Sequence, residues 1–275
     1  MMESDVASLE KKAKRFRSRV FDMCIAGGGH LSSAFSCVEI LTAVYYGGIF
    51  HFDPADIANT ERDRFILSKG HAASILYAVL ADRGFFGVDE LDKFGQPGSF
   101  LGSHPDRIIP GVEATTGSLG HGLGIAAGMG LAARMDNKKH KVIALMGDGE
   151  CSEGSVWEAA MFASFHKLDN LMGIVDHNKL CVTDFVDNCM ALKPFADKWR
   201  AFGWDVLEVD GHSFPELLAA FRLFRSDADR GRPLLIIAHT VKGKGVSFME
   251  NDPVWHARTP TGEQIELARK ELNKR

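Results

Sequence analysis

The chain has 275 residues, 45% of them hydrophobic and 25% charged, the balance of an ordinary soluble globular protein long enough to bury a large core. Its formal net charge of −4, with 11 histidines counted neutral, argues against a polyanion-binding surface and so against nucleic acid as a partner. The longest apolar runs, such as VIALM and LLIIA, fall far short of the roughly 18 residues a membrane span needs.

In chain order, the N-terminal residues mix Lys and Arg with Glu3, Asp5 and Glu10 and hold no apolar stretch of the secretory-signal kind. Val6, Leu9, Ala13, Phe16, Val20 and Met23 recur at spacings of three and four, which predicts one long opening helix ended by Gly27-Gly28-Gly29. Helices are expected over Val38 to Tyr46 and over Ala72 to Arg83, the latter stopped by Gly84. The stretch from Ile108 to Gly130 is rich in glycine and small residues. KVIALM (141–146) and LMGIV (171–175) read as strands buried on both faces, with a helix from Ser155 to Lys167 between them. A strand over Trp204 to Val209, a helix over Phe214 to Phe224 and a strand over Leu234 to Ala238 follow. Repeated strand–helix–strand units predict an α/β fold with a parallel sheet and helices on both faces, and no linker divides residues 1–275, which we expect to form one domain. The five cysteines (Cys24, Cys37, Cys151, Cys181, Cys189) are odd in number and form no CxxC pair, so reduced thiols and a cytoplasmic address are expected.

The chemistry-bearing pattern begins at Gly147-Asp148-Gly149, directly after the strand at 141–146. Open α/β sheets bind ligands at the carboxyl ends of their strands, and flanking glycines let backbone approach a phosphate. One crossover later the strand at 171–175 ends in Asp176-His177-Asn178. That spacing brings Asp148 and Asn178 out at the same edge of neighbouring strands. A carboxylate, an amide oxygen and a nearby main-chain carbonyl form the hard half-shell that Mg²⁺ prefers, completed by water and phosphate oxygens.

GDGECSEGSVWEAAMFASFHKLDNLMGIVDHNKL is similar to the thiamine-diphosphate signature and resembles transketolase in detail. GHLSSAFS (29–36), DRFILSKGHAASILYA (63–78), GSHP (102–105), ATTGSLGHGLG (114–124), FGWDVLEVDGH (202–212), TVKGKG (240–245) and WH (255–256) resemble transketolase segments in the same order, over nearly the whole chain. The resemblance implies that Asp148, Asn178 and the main-chain oxygen of Leu180 hold Mg²⁺, with Ca²⁺ or Mn²⁺ as substitutes, against the cofactor diphosphate. It implies that Gly117, Ser118, Leu119 and Gly149 line the diphosphate and thiazolium, that Ser33 and His71 lie against the cofactor, and that Lys242 neutralises phosphate charge. His30, His71, His104 and His256 would surround the reacting carbon and the sugar hydroxyls, and Glu153 would join a carboxylate network at a subunit interface. Imidazoles suit the proton exchange that ketol transfer demands, because their charge changes near neutral pH. Two positions depart from the family pattern. His121 stands where glutamine is common, and Cys181 is expected to be a packing residue rather than a reactive thiol.

The resembling motifs run from His30 to His256, and only 19 residues follow, where a second α/β domain needs well over roughly 50. The expectation is therefore a separately encoded C-terminal subunit carrying the pyrimidine-binding domain and its catalytic glutamate, in an α2β2 assembly acting on sugar phosphates. Gly120, Gly124 and Gly128, spaced by four, predict a bare helix face for close approach, either by a second copy or by this chain's own sheet. Competing readings are the α subunit of a 2-oxo acid dehydrogenase-type E1 component, a transketolase dedicated to an unusual sugar, and a zinc hydrolase, for which no HExxH spacing is present.

Overall fold

The computed structural model describes residues 6–226 and 230–274; the charged residues Glu3 and Asp5 of the N-terminal segment lie outside them. Helix α1 (Val6–Gly27) buries Leu9, Ala13, Phe16, Val20 and Met23 as one stripe. Gly28 ends it at φ +77°, its amide reaching back to the Cys24 carbonyl at 2.9 Å, the left-handed closure that glycine adopts without a Cβ penalty. Then follow α2 (Leu31–Phe35), α3 (Val38–Tyr46), β1 (Arg64–Leu67), α4 (Ala73–Asp82), α5 (Gly122–Met135), β2 (Val142–Gly147), α6 (Gly154–Phe165) and β3 (Leu171–His177). The remainder comprises α7 (Val186–Cys189), α8 (Phe195–Ala201), β4 (Asp205–Asp210), α9 (Phe214–Arg225), β5 (Leu234–His239) and α10 (Glu263–Lys274).

Among the described residues five strands form one parallel sheet in the order β1-β2-β3-β5-β4. Alternation along each inner strand feeds two cores. Ile143, Leu145, Met172, Ile174, Leu234 and Ile236 pack with residues of α1, α3, α4 and α9. Val142, Ala144, Met146, Val175, Leu235 and Ile237 pack with α5, α6 and α8 on the other side. A strand buried on both faces has no polar alternation, which is why these runs read as continuous apolar sequence. Among the described residues no helix is long and apolar enough to cross a membrane.

Two expectations need correction. The sheet has a fifth strand, β1, built from only four residues (RFIL), too short to display a period. The glycines Gly120, Gly124 and Gly128 do not share a helix. Gly120 precedes α5 in a loop at φ +89°, where a Cβ would meet the Ser155 Oγ at 2.6 Å. Gly124 and Gly128 are exposed on α5, so this chain's own sheet does not cover them.

Candidate functional site

The carboxyl ends of β1, β2, β3 and β5 open on one side of the sheet, and the loops leaving them converge there. His71 follows β1 in a 3₁₀ turn (Gly70–Ala72), and His30 precedes α2. His104 lies in the loop after α4, and His256 closes a 3₁₀ turn (Pro253–Trp255) after β5. These four rings, spread over most of the sequence, meet in one cluster. The His30 ring centre lies 5.4 Å from His71, 5.8 Å from His104 and 5.1 Å from His256, and His71 lies 5.4 Å from His256. His104 is placed by its own carbonyl, which accepts from the Tyr77 hydroxyl at 2.8 Å, and by Gly117, where a Cβ would stand 3.0 Å from its ring.

The cluster is surrounded by buried cations. The Lys242 Nζ contacts the His256 Nδ1 at 2.8 Å and donates to the Cys181 carbonyl at 3.2 Å. Burial, followed by the charge of Lys69, pushes Lys242 down to about 8. Burial and neighbouring cations also lower His30, lower His71 strongly, and take His256 down to about 3. At neutral pH these three imidazoles are uncharged. Lys69 is paired with Asp176; burial works against both charges, but the pairing overrides it, raising Lys69 and lowering Asp176. Asp176 also accepts from Ser36 Oγ at 2.6 Å, from Asn178 Nδ2 at 3.0 Å and from the Thr240 hydroxyl.

Asp148 and Asn178 stand side by side, since Gly147 of β2 is in register with Asp176 of β3. Asp148 accepts from the amides of Gly149 and Lys179 and from His177 Nδ1 at 3.0 Å. The Asn178 amide nitrogen is committed to Asp176, and its oxygen accepts from the Leu180 amide at 3.1 Å, so the oxygen's orientation is fixed by the network. No three His, Cys, Asp or Glu side chains among the described residues are arranged to hold a metal ion by themselves. A divalent ion at Asp148 and Asn178 would therefore take further oxygens from main chain, water and phosphate, as Mg²⁺ does.

The buried Glu150 carboxylate ties the glycine loop to the GDG turn, accepting from the Gly120 amide at 2.9 Å, the Gly147 amide at 3.0 Å and the Ser68 hydroxyl. Burial raises its pKa against those bonds. The loop holding Gly117, Ser118 and Leu119 is thereby docked beside the turn, with Ser118 exposed. Glu153 is also exposed, beside Gly120. His121 is exposed at the start of α5. Cys181 packs against Gly149, its Sγ 3.1 Å from where a Cβ would stand there, and burial first of all pushes its thiol up to about 11, so it stays protonated at neutral pH. The Ser33 hydroxyl and His30 Nδ1 are buried with no hydrogen-bond partner among the described residues. Buried polar groups are ordinarily satisfied; two orphans at the cluster fit a polar group that arrives with a ligand.

Sequence reasoning passed over Lys69, Asp176 and Glu150 as individual residues. Each sat inside a motif already singled out, but a lysine or glutamate that will be buried looks in sequence like one that will be solvated.

A parallel sheet with cations, uncharged imidazoles and a carboxylate–amide pair gathered at its strand ends defines a phosphate-cofactor-binding α/β protein. The family profile for the transketolase thiamine diphosphate binding domain matches residues 10–274, and the chain belongs to that family. It is 42% identical over 271 residues to one of the subunits of the apulose-4-phosphate transketolase of Phocaeicola vulgatus, covering 98% of this chain and 95% of that protein. It is 41% identical over 249 residues to the 6-deoxy-6-sulfo-D-fructose transketolase subunit SqwG of a Clostridium species, covering 90% of each. The transketolase of Campylobacter jejuni superposes with a TM-score of 0.91 at 29% identity, over 98% of this chain but 43% of that one.

Proposed function

We propose that this chain is the diphosphate-binding subunit of a two-subunit transketolase. The enzyme moves a two-carbon ketol unit from a ketose phosphate to an aldose phosphate with thiamine diphosphate and Mg²⁺. The observation that carries the reading is the cluster of His30, His71, His104 and His256, joined to Lys242 at the strand ends that bear Asp148 and Asn178. Thiamine diphosphate, when bound, supplies the carbon nucleophile and the electron sink.

The chain's own residues hold that group and move protons. Asp148, Asn178 and the Leu180 carbonyl would hold the metal, and Lys242 would offset phosphate charge as a point cation. Gly117, Ser118, Leu119 and Gly149 would line the cofactor, and Ser33 Oγ and His30 Nδ1 would offer it the polar atoms left without partners. With a bound diphosphate offsetting the cations that join burial in lowering them, the cluster imidazoles would take the proton from the donor's hydroxyl and return one to the acceptor's aldehyde oxygen.

The rest of the active site belongs in this reading to a separately encoded subunit with the pyrimidine-binding domain and its catalytic glutamate. Supporting it, the chain matches nearly the full length of a protein named as one subunit of its enzyme but less than half of the Campylobacter jejuni transketolase chain. We place the pair in an α2β2 assembly in the cytoplasm, with Glu153 at the interface. The relatives' names favour a dedicated role with an unusual anionic sugar over general pentose phosphate exchange. A donor–acceptor screen of the co-purified pair decides between them. Calorimetry of that pair with thiamine diphosphate and MgCl₂ is expected to show saturable binding that Asp148→Ala abolishes. Unchanged affinity in the variant overturns the metal assignment, and appreciable ketol transfer by the purified single chain overturns the two-subunit reading.

A further inference from the structure

The DGH turn at the end of β4 takes no part in the site described above, yet its histidine connects to it. His212 Nε2 accepts from the main-chain amide of Val241 at 2.9 Å. An amide can only donate, so the proton sits on Nδ1, which faces Glu39 Oε2 at 2.9 Å and donates to it. Glu39 is in turn gripped in bidentate fashion by Arg17, at 2.8 and 3.0 Å. Arg17 also donates to the Phe35 carbonyl at the end of α2. Burial opposes the Glu39 charge, but Arg17 and His212 outweigh it and hold the carboxyl down at about 2. A chain of directed bonds thus runs from α1 through α3 and the β4–α9 turn to the residue immediately before Lys242.

The other side of Lys242 is tied as well. The Gly243 amide donates to the Ser32 carbonyl at 3.0 Å, and the Lys242 carbonyl accepts from Asn251 at 3.0 Å. Of these main-chain anchors, the one at Val241 alone depends on a side chain.

We propose that His212 is a positioning residue for Lys242: by accepting from the Val241 amide while donating to the Arg17-clamped Glu39, it sets the turn that aims the ammonium at the cofactor diphosphate. The inference rests on the reading that Lys242 meets that diphosphate. A cavity of about 200 Å³ lined in part by Arg17, Glu39 and His212 borders the chain, so water can enter where the ring is removed.

The test is thiamine diphosphate affinity in the presence of MgCl₂, measured by calorimetry on the complex with the partner subunit. His212→Ala is expected to weaken binding roughly five- to tenfold, the worth of a buried hydrogen bond with a charged neighbour. His212→Gln, whose amide both donates and accepts, is expected to restore affinity to within about threefold. In a Lys242→Met background, His212→Ala is expected to add no further loss, because the turn then has no ammonium to aim. If the alanine variant does not fold, His212→Met fills the same space without either bond and is read in the same way. Wild-type affinity in His212→Ala, no rescue by glutamine, or an equal loss in the Lys242→Met background overturns the positioning role. Wild-type affinity in Lys242→Met alone locates the failure in the cofactor reading and takes the proposal with it.

Discussion

Lys69 and Asp176 form an ion pair across the carboxyl ends of β1 and β3, over the intervening β2, with side chains 1% and 0% exposed. Asp176 is neither a cluster imidazole nor one of the oxygen donors assigned to the metal. It is the hub on which Ser36, Asn178, Thr240 and Lys69 all converge. It fixes the Asn178 amide, and it lets a lysine stay charged in a dry site. Lys69→Met strands the buried carboxylate and is expected to destabilise the chain by about 3–5 kcal/mol. Replacing both residues, as Lys69→Met with Asp176→Leu, is expected to recover part of that loss. Urea unfolding of the purified chain and its variants measures both.

If Lys242 meets the diphosphate as proposed, cofactor affinity depends on pH in a defined direction. Its ammonium is pushed down to about 8 in the free chain, and a bound diphosphate favours the charged form. Affinity is then full below pH 8 and falls as pH rises past it, by at most about tenfold per pH unit. Calorimetry in buffers of different ionisation enthalpy at pH 8.5 is expected to show proton uptake on binding, and Lys242→Met is expected to abolish it.

The histidine cluster predicts acid sensitivity. His30, His71 and His256 are all lowered, His256 to about 3, so below pH 6.5 the unfolded chain binds protons that the folded chain refuses. Stability therefore falls as pH drops from 6.5 toward 3. Glu39, held at about 2, adds its own loss below its ordinary value of 4.5. Melting temperature is expected to decline already between pH 6.5 and 5, above the ordinary carboxylate range, and His256→Asn is expected to flatten that part of the curve.

Gly117 sits at φ +145°, in backbone space open to glycine, with its missing Cβ directed at the His104 ring. Gly117→Ala is expected to cost about 1–3 kcal/mol through strain. By displacing His104 it should also lower kcat/KM for ketol transfer by the assembled pair at least about tenfold. Denaturation and steady-state kinetics on the same preparations separate the two effects.

Much of the architecture is legible in the sequence. Strands β2, β3 and β5 are apolar on both faces and announce themselves as short uninterrupted runs, and the stripe from Val6 to Met23 announces α1. The spacing from Asp148 to Asn178 placed both at one sheet edge, because a crossover has a nearly fixed length. β1 escaped notice because four residues cannot display a period. The glycine stripe misled because an interval of four implies a shared face only inside a helix, and Gly120 lies before α5 begins.

What the amino-acid order determined by itself is what depends on near neighbours: helix and strand periods, glycine turns, and the motifs that assign the chain to its family. Only the tertiary structure decided which charged residues would be buried and with whom. Lys69 meets Asp176 from 107 positions away, and His212 meets Glu39 from 173. Such pairs leave no local trace, because a side chain's solvation and its partners are set by segments that folding brings together.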